Sequence, residues 1–548
     1  MQTRLLSILL RALVVVTMTF PLATTPLLKA QDVKISDLKT VAERSGFQAT
    51  STSVEVVDFV DRVAKNADHV NRITFGKSLD GKPMIAAIVA NPSVTTPEDL
   101  KDDDRLVLLL MGNIHSGECC GKEALLMLLR ELGSDEKHPW LDDAVILIAP
   151  NYNTDGNDKM KLTNRRGQDG PALGMGEREN SMGLDLNRDF AKLESPEAQN
   201  LIALMDDWNP HLFIDCHTTN GSWHRYHLTY ETTHHPGANA DIQSYMRKNA
   251  FPKITKDLRN KGVDTFYYGN FNGNNTTWSS FGYEPRYSTE YVGFRNRIGI
   301  LSEAYAYIPF KERIMATKAF VIECSQYMID HKEEVQTLLD KAAKDTVAAG
   351  RNPREDDLVA IRARLEATKG EYTIKGYKPG TIPGRRNRND SAENRKQGVP
   401  QDFAVTFFND YIPTLSARRP HAYYVPASHE AAITKLKQHG IRLHQLEEDT
   451  EMVVEISKIT KFEKARASFQ KHRQITADVE RRLETKTVPA GTYVVPMGQP
   501  LGNLVLQLLE PGGADSLVAW NMYDDILDVG KDYPIFRVLS PTKISATK

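Results

Sequence analysis

Residues 105–132 read RLVLLLMGNIHSGECCGKEALLMLLREL, and this stretch decides the fold. Residues 105–111 are an almost unbroken apolar run, short enough for a strand buried on both faces. Gly112-Asn113 turns the chain, and residues 118–132 then carry apolar side chains at helical spacing. A buried strand leading through a tight turn into a helix predicts an α/β architecture. The turn also carries chemistry. His115 and Glu118 lie three apart, so on one helical turn both can reach a single ion. A third ligand is available at His217, and two His plus one Glu form a zinc set that leaves a fourth position for water. The carboxyl end of a strand is also where open α/β sheets bind ligands.

Outward from this unit the alternation continues. Residues 54–64 have helical periodicity, and residues 72–75 and 83–90 flank Asp80-Gly81, a strong hairpin signal. Residues 144–149 (AVILIA) read as a second buried strand, followed by a turn at residues 151–156 (NYNTDG). Ser195-Pro196 opens a helix running to Trp208, with Ser as cap and Pro at the first helical position. Residues 211–216 form a strand that delivers His217. A helix over 241–260, a strand over 298–302 and a long helix over 311–339 complete the pattern. The expected fold is α/β, a mixed β-sheet flanked by helices on both faces.

Beyond about residue 340 the character changes. Residues 376–400 are rich in Gly, Pro, Asn and Arg and read as an exposed loop. Apolar runs at 422–426, 452–456 and 492–496 look like strands, with a helix at 429–439, while the run at 501–509 suits either type. The expected organisation is a signal peptide over 1–30 and a catalytic domain over 31–340. A linker and exposed loop over 341–402 and a smaller β-rich C-terminal domain over 403–548 follow.

Composition narrows the function. A hydrophobic content of 41% and a charged content of 26% are those of a soluble globular protein. A formal net charge of −2, with no basic stripe interleaved with aromatics, argues against a nucleic-acid partner. Arg4 and Arg11 precede or interrupt an apolar run over 12–20, and Leu28-Lys29-Ala30 could precede a cleavage site. That layout predicts a secreted or periplasmic protein with no stable membrane insertion once the leader is removed. Four cysteines, Cys119, Cys120, Cys216 and Cys324, are too sparse for a disulfide framework and read chiefly as buried thiols.

Four further segments join the proposed ligands: the 151–156 turn, Asn164-Arg165-Arg166, Asp185-Leu186-Asn187-Arg188-Asp189-Phe190, and residues 299–303 (GILSE). In combination and order, over roughly residues 50 to 335, they resemble the M14 zinc carboxypeptidase family of the carboxypeptidase A type. The C-terminal part is more loosely similar to the extension of large bacterial members. The resemblance implies one Zn²⁺ per chain on His115, Glu118 and His217, with Asp185 orienting the first His. It implies Glu303 as general base and Arg165 as the oxyanion-stabilising cation, Arg166 being a neighbouring alternative. It implies that Asn187 and Arg188 grip the C-terminal carboxylate of a peptide. A substrate-binding Tyr is expected among Tyr283, Tyr287 and Tyr291, with Tyr291 chosen.

Two departures stand out. Asp189 occupies a position where many relatives have Asn, and Ala304-Tyr305-Ala306 follows Glu303 in place of the usual residues. His211, His224, His227, His234 and His235 are potential rival ligands. The expected function is a zinc metallocarboxypeptidase acting on peptides with a free C-terminus. The alternatives are a zinc amidase or peptidase on cell-wall peptides, a deacylase of amino-acid conjugates, and a non-catalytic peptide-binding protein on this scaffold.

Overall fold

The computed structural model describes residues 34–379 and 398–541 and a two-residue strand at Ala546–Thr547. The leader at residues 1–30 and most of the 376–400 loop lie outside the described residues.

The strand expected at residues 105–111 is Leu106–Gly112, and it lies inside an eight-stranded sheet. The sheet order is Val70–Lys77, Pro83–Val89, Ala144–Ala149, Leu106–Gly112, Leu212–Thr219, Ile298–Tyr305, Leu228–Thr232, Thr265–Tyr267. The four strands from Ala144–Ala149 to Ile298–Tyr305 run parallel to one another. The expected hairpin, Val70–Lys77 with Pro83–Val89, adds an antiparallel edge. The sheet is therefore mixed.

Both faces are covered, which is why its central strands are continuously apolar. Leu106, Leu108 and Leu110 pack with the helices Ser53–Asn66, Cys120–Gly133 and Phe310–Asp330. The alternate residues Val107, Leu109 and Met111 pack on the other side with Pro196–Trp208 and with the C-terminal part. Leu108 is fully buried, and Leu108→Ala would cost about 2–5 kcal/mol.

The turn out of the central strand is set locally. Asn113 takes φ 69°, a left-handed conformation that Asn tolerates. The helix that follows presses directly on the next strand, since a Cβ on Gly121 would stand 2.5 Å from Cys216 Cβ. Only glycine fits there.

The C-terminal part departs from the expected linker-plus-domain layout. Residues 341–402 contain the end of the helix Lys332–Arg351 and the strands Leu358–Ala367 and Tyr372–Tyr377. Both strands pair with Pro400–Arg418, which also runs parallel to Thr277–Ser279 from the catalytic part. The two parts thus share a five-stranded sheet. A seven-stranded sheet, including the long hairpin Thr450–Lys464 with Ile475–Val488, completes the β-rich region. The ambiguous run at 501–509 is the helix Gly502–Leu509, buried along nearly its whole length. A helix buried all round shows no apolar stripe, so periodicity could not classify it. The long helix expected at 311–339 is two, Phe310–Asp330 and Lys332–Arg351, broken at His331 (φ −119°, ψ 27°).

Candidate metal centre and catalytic cleft

The fold brings His115, Glu118 and His217 together from a turn, a helix entrance and a strand. All three are at most 3% exposed. His115 Nδ1 lies 3.1 Å from Glu118 Oε1, and His217 Nδ1 lies 3.2 Å from His115 Nδ1 and 3.0 Å from Glu118 Oε2. Ligand atoms about 2.0–2.1 Å from one tetrahedral ion stand roughly 3.3 Å apart, so the spacing fits zinc.

The outer nitrogens explain the tautomers. His115 Nε2 meets Asp185 Oδ1 at 2.9 Å, as expected. His217 Nε2 meets Asp215 Oδ2 at 2.9 Å, a carboxylate that sequence reading missed. Asp215 lies two residues before His217 on one strand and so shares its face, a period-two signal available in the sequence. With both Nε2–H groups donating outward, the two Nδ1 lone pairs face each other beside a carboxylate. Such a buried, electron-rich set suits a cation.

Electrostatics agree. Burial alone would raise Glu118, but Arg165, His115 and His217 outweigh it and hold the carboxyl well below the ordinary range. Burial likewise opposes the low value of Asp185, which His115, Arg188 and Arg178 impose. His217 is held up against burial by Asp215, Glu118 and Glu303. The anionic surroundings that favour a proton on His217 would equally favour a metal ion.

Glu303 stands opposite His217 in the parallel pairing of Ile298–Tyr305 with Leu212–Thr219. Its side chain lines a cavity of about 230 Å³ together with all three presumed ligands. Burial, reinforced by Glu118 and opposed by His217 and two arginines, pushes its carboxyl up to about 8. Its Oε2 has no hydrogen-bond partner.

Asn187 and Arg188 line the same cavity. Asn187 Oδ1 accepts from Ser288 N at 2.8 Å, which fixes the amide with its NH₂ as the donor end. The Arg188 guanidinium lies 4.4 Å over the Tyr287 ring and donates to Asn187 O.

Two expected residues fall elsewhere. Arg165 does not line the cavity: it donates to Glu118 Oε1 at 2.8 Å, to Thr218 O at 2.7 Å and to Gln168 at 2.9 Å. Each of its three nitrogens donates to a protein acceptor, and Arg166 does not line the cavity either. Arg178, which the sequence did not single out, lines the cavity with a side chain 34% exposed and braced by two bonds to Asp185 Oδ2. Tyr291 is fully buried, bonded to His439 and packed on Phe190. Tyr268 and Tyr287 line the cavity instead.

The remaining candidates resolve into structural roles. Asp189 is fully buried, paired with Lys192, and accepts from N and Oγ of Ser195, the cap of the Pro196–Trp208 helix. It holds the capping residue and does not line the cavity. His211 accepts from Val107 N, His227 from Asp264 N, and His234 pairs with Glu290. Burial pushes His224 and His235 down to about 3, so both are neutral. Among the described residues, His115, Glu118 and His217 form the one metal-competent group. All four cysteines are free and buried, and no described helix is long and apolar enough to cross a membrane.

Residues 56–296 match the family described as zinc carboxypeptidase. Carboxypeptidase 2 of Trichophyton tonsurans is 22% identical over 496 residues, covering 84% of this chain and 81% of the relative. Human carboxypeptidase D is 28% identical over 170 residues, covering 28% of this chain and 11% of its own. Among solved structures, a metallo-carboxypeptidase from Pseudomonas aeruginosa in complex with (2-guanidinoethylmercapto)succinic acid aligns with TM-score 0.38 and 18% identity, over 52% of this chain and 69% of that one. Carboxypeptidase A from Helicoverpa armigera aligns with TM-score 0.39 and 13% identity, over 54% and 78%. The family match over residues 56–296 and the carboxypeptidase relatives make the chain a hydrolase of the metallocarboxypeptidase class.

Proposed function

We propose that the protein removes C-terminal residues from peptides, with one zinc ion per chain held by His115, Glu118 and His217. The observation that carries this reading is the convergence of the ligand set, Glu303 and the Asn187–Arg188 pair on one cavity. A zinc ion there supplies Lewis-acid activation of water and of the scissile carbonyl.

The chain's own residues do the rest. Arg188 and the Asn187 amide grip the terminal carboxylate, a pairing suited to a guanidinium fork. Glu303 takes a proton from the attacking water and passes it to the leaving amine, and its raised pKa suits it to both tasks. Arg178 stabilises the oxyanion in place of Arg165, because it lines the cavity beside the ligand set with a partly exposed side chain and Arg165 does not line it. Asp185 and Asp215 hold the two imidazoles. Arg4, Arg11 and the apolar run of the leader support export from the cytoplasm, which cell fractionation tests.

The deciding experiment is mass-spectrometric digestion by the zinc-loaded protein of peptides with free and amidated C-termini. Stepwise loss from free ends only, abolished by a chelator, is expected. Equal cleavage of amidated peptides, or internal cuts, would remove the anchoring role of Asn187 and Arg188.

A further inference from the structure

The carboxylate-binding edge of the cavity is built from two segments, the turn at residues 185–188 and the stretch at residues 284–288. Ser288 N joins them through Asn187 Oδ1. Each is also gripped from outside the catalytic part.

On the first edge, Asp185 N donates to Gln470 Oε1 at 2.9 Å. Gln470 lies in the loop joining the long strands Thr450–Lys464 and Ile475–Val488. Phe469 and His472 exchange both backbone hydrogen bonds, at 2.7 and 2.9 Å, so Gln470 and Lys471 form a two-residue tip. Both take positive φ, 51° and 67°. That geometry favours Asn or Gly, and with these residues it is strained. The strained side chain is the one aimed at the catalytic turn. His472 pins the tip by bonding Glu194 at 2.6 Å and Asn521 at 3.0 Å.

On the second edge, Asp515 Oδ2 accepts from Arg286 N at 2.8 Å and Nε at 3.1 Å, and its Oδ1 forms an ion pair with Nη2 at 2.7 Å. Asp515 is 2% exposed, and Arg286 directly precedes Tyr287, the ring under Arg188. A backbone amide and a guanidinium are thus fixed by one carboxylate, a strong charge-assisted contact.

We propose that Gln470 and Asp515 are positioning residues for substrate recognition, so that the C-terminal part completes the carboxylate-binding edge. The inference rests on the reading of Asn187 and Arg188 as the anchor. Asp185 N is the amide that opens the Leu186–Arg188 turn, and its hydrogen bond to Gln470 sets where that turn begins. A shift there moves Asn187 and Arg188 together while leaving Glu303 in place on its strand. The effect therefore falls on substrate binding more than on the chemical step.

The test uses the full-length, zinc-loaded protein and the free-C-terminus peptide it cleaves fastest. Gln470→Leu keeps the bulk and removes the acceptor, Gln470→Glu keeps an acceptor, and Arg188→Ala removes the presumed anchor. One net hydrogen bond predicts that Gln470→Leu raises KM about three- to tenfold with kcat within about twofold of the parent. Gln470→Glu should restore KM to within about twofold. Asp515→Asn reports from the other edge, and it too should raise KM. Gln470 is only half-buried at a hairpin tip outside the core, so its variants should fold, as an unchanged melting temperature would verify. Arg188→Ala with raised KM beside Gln470→Leu with native KM overturns this inference and spares the anchor. An equal loss in Gln470→Leu and Gln470→Glu, or a fall in kcat alone, also overturns it. Native KM in Arg188→Ala removes the anchor and the inference together.

Discussion

Glu303 and His217 face each other in register across two parallel strands, Ile298–Tyr305 and Leu212–Thr219. A presumed base and a presumed ligand are therefore fixed by backbone pairing. Glu303→Gln keeps the shape and loses the base, so kcat should fall about 10²–10⁴-fold. Zinc content, read by elemental analysis, should stay at one per chain. Retained turnover would take Glu303 out of the mechanism.

Asp215 holds the outer nitrogen of His217 from inside the same strand. Asp215→Asn should weaken zinc affinity about 10–100-fold, measured by competition with a chelator. An unchanged affinity would show that the imidazole needs no such partner.

Arg178 and Arg165 both reach Glu118 Oε1, at 3.5 and 2.8 Å, but only Arg178 lines the cavity. Arg178→Ala should lower kcat about 10²–10³-fold at little cost in KM, as for a lost oxyanion donor. Arg165→Ala should act through Glu118, weakening metal retention first. Steady-state kinetics and zinc analysis on the two variants give opposite patterns if the assignment is right.

Tyr291→Phe should lose one buried hydrogen bond to His439, about 0.5–1.5 kcal/mol of stability, with kcat/KM unchanged. A loss of activity without a loss of stability would return Tyr291 to the cavity.

His472 and Glu194 join the hairpin tip to the catalytic part and carry a pH signature. The hydrogen bond from His472, with Lys192, brings Glu194 down to about 2 despite burial, and the same bond raises His472. Glu194 therefore contributes stability above its ordinary 4.5, lost as pH falls towards about 2. His472 contributes below its ordinary 6.5, lost as pH rises through its raised value. Urea unfolding of the parent and of His472→Gln should differ most between about pH 4.5 and 6.5 and converge on either side. A constant difference across pH would exclude the ion pair as the cause.

The strand–turn–helix at the metal centre, the hairpin and the capped Pro196–Trp208 helix were legible because local pattern and tertiary role coincide there. Arg178 was not, because which arginine of the 160–188 loop reaches the cavity depends on how that irregular segment threads over the turn. Tyr291 misled for a related reason: it lies in the short helix Ser288–Phe294, and Tyr287 at that helix's entrance faces the cavity instead. The strands at Leu358–Ala367 and Tyr372–Tyr377 were hidden because their partner, Pro400–Arg418, lies beyond the Gly- and Arg-rich loop. Register across such a gap leaves no local trace.

The five-stranded sheet shared by Thr277–Ser279 and Pro400–Arg418 makes the border between the two parts a seam. Trp278 is fully buried on it, and Trp208, Tyr291 and Leu504 belong to one continuous core. Among the described residues that border is paired strand and packed core, which opposes a swing of the C-terminal part away from the cavity. A cavity walled by such a seam should admit a threaded chain end more readily than a folded surface. If the proposed carboxypeptidase reading holds, slack, unstructured chain ends should be trimmed and the tightly packed termini of folded proteins spared.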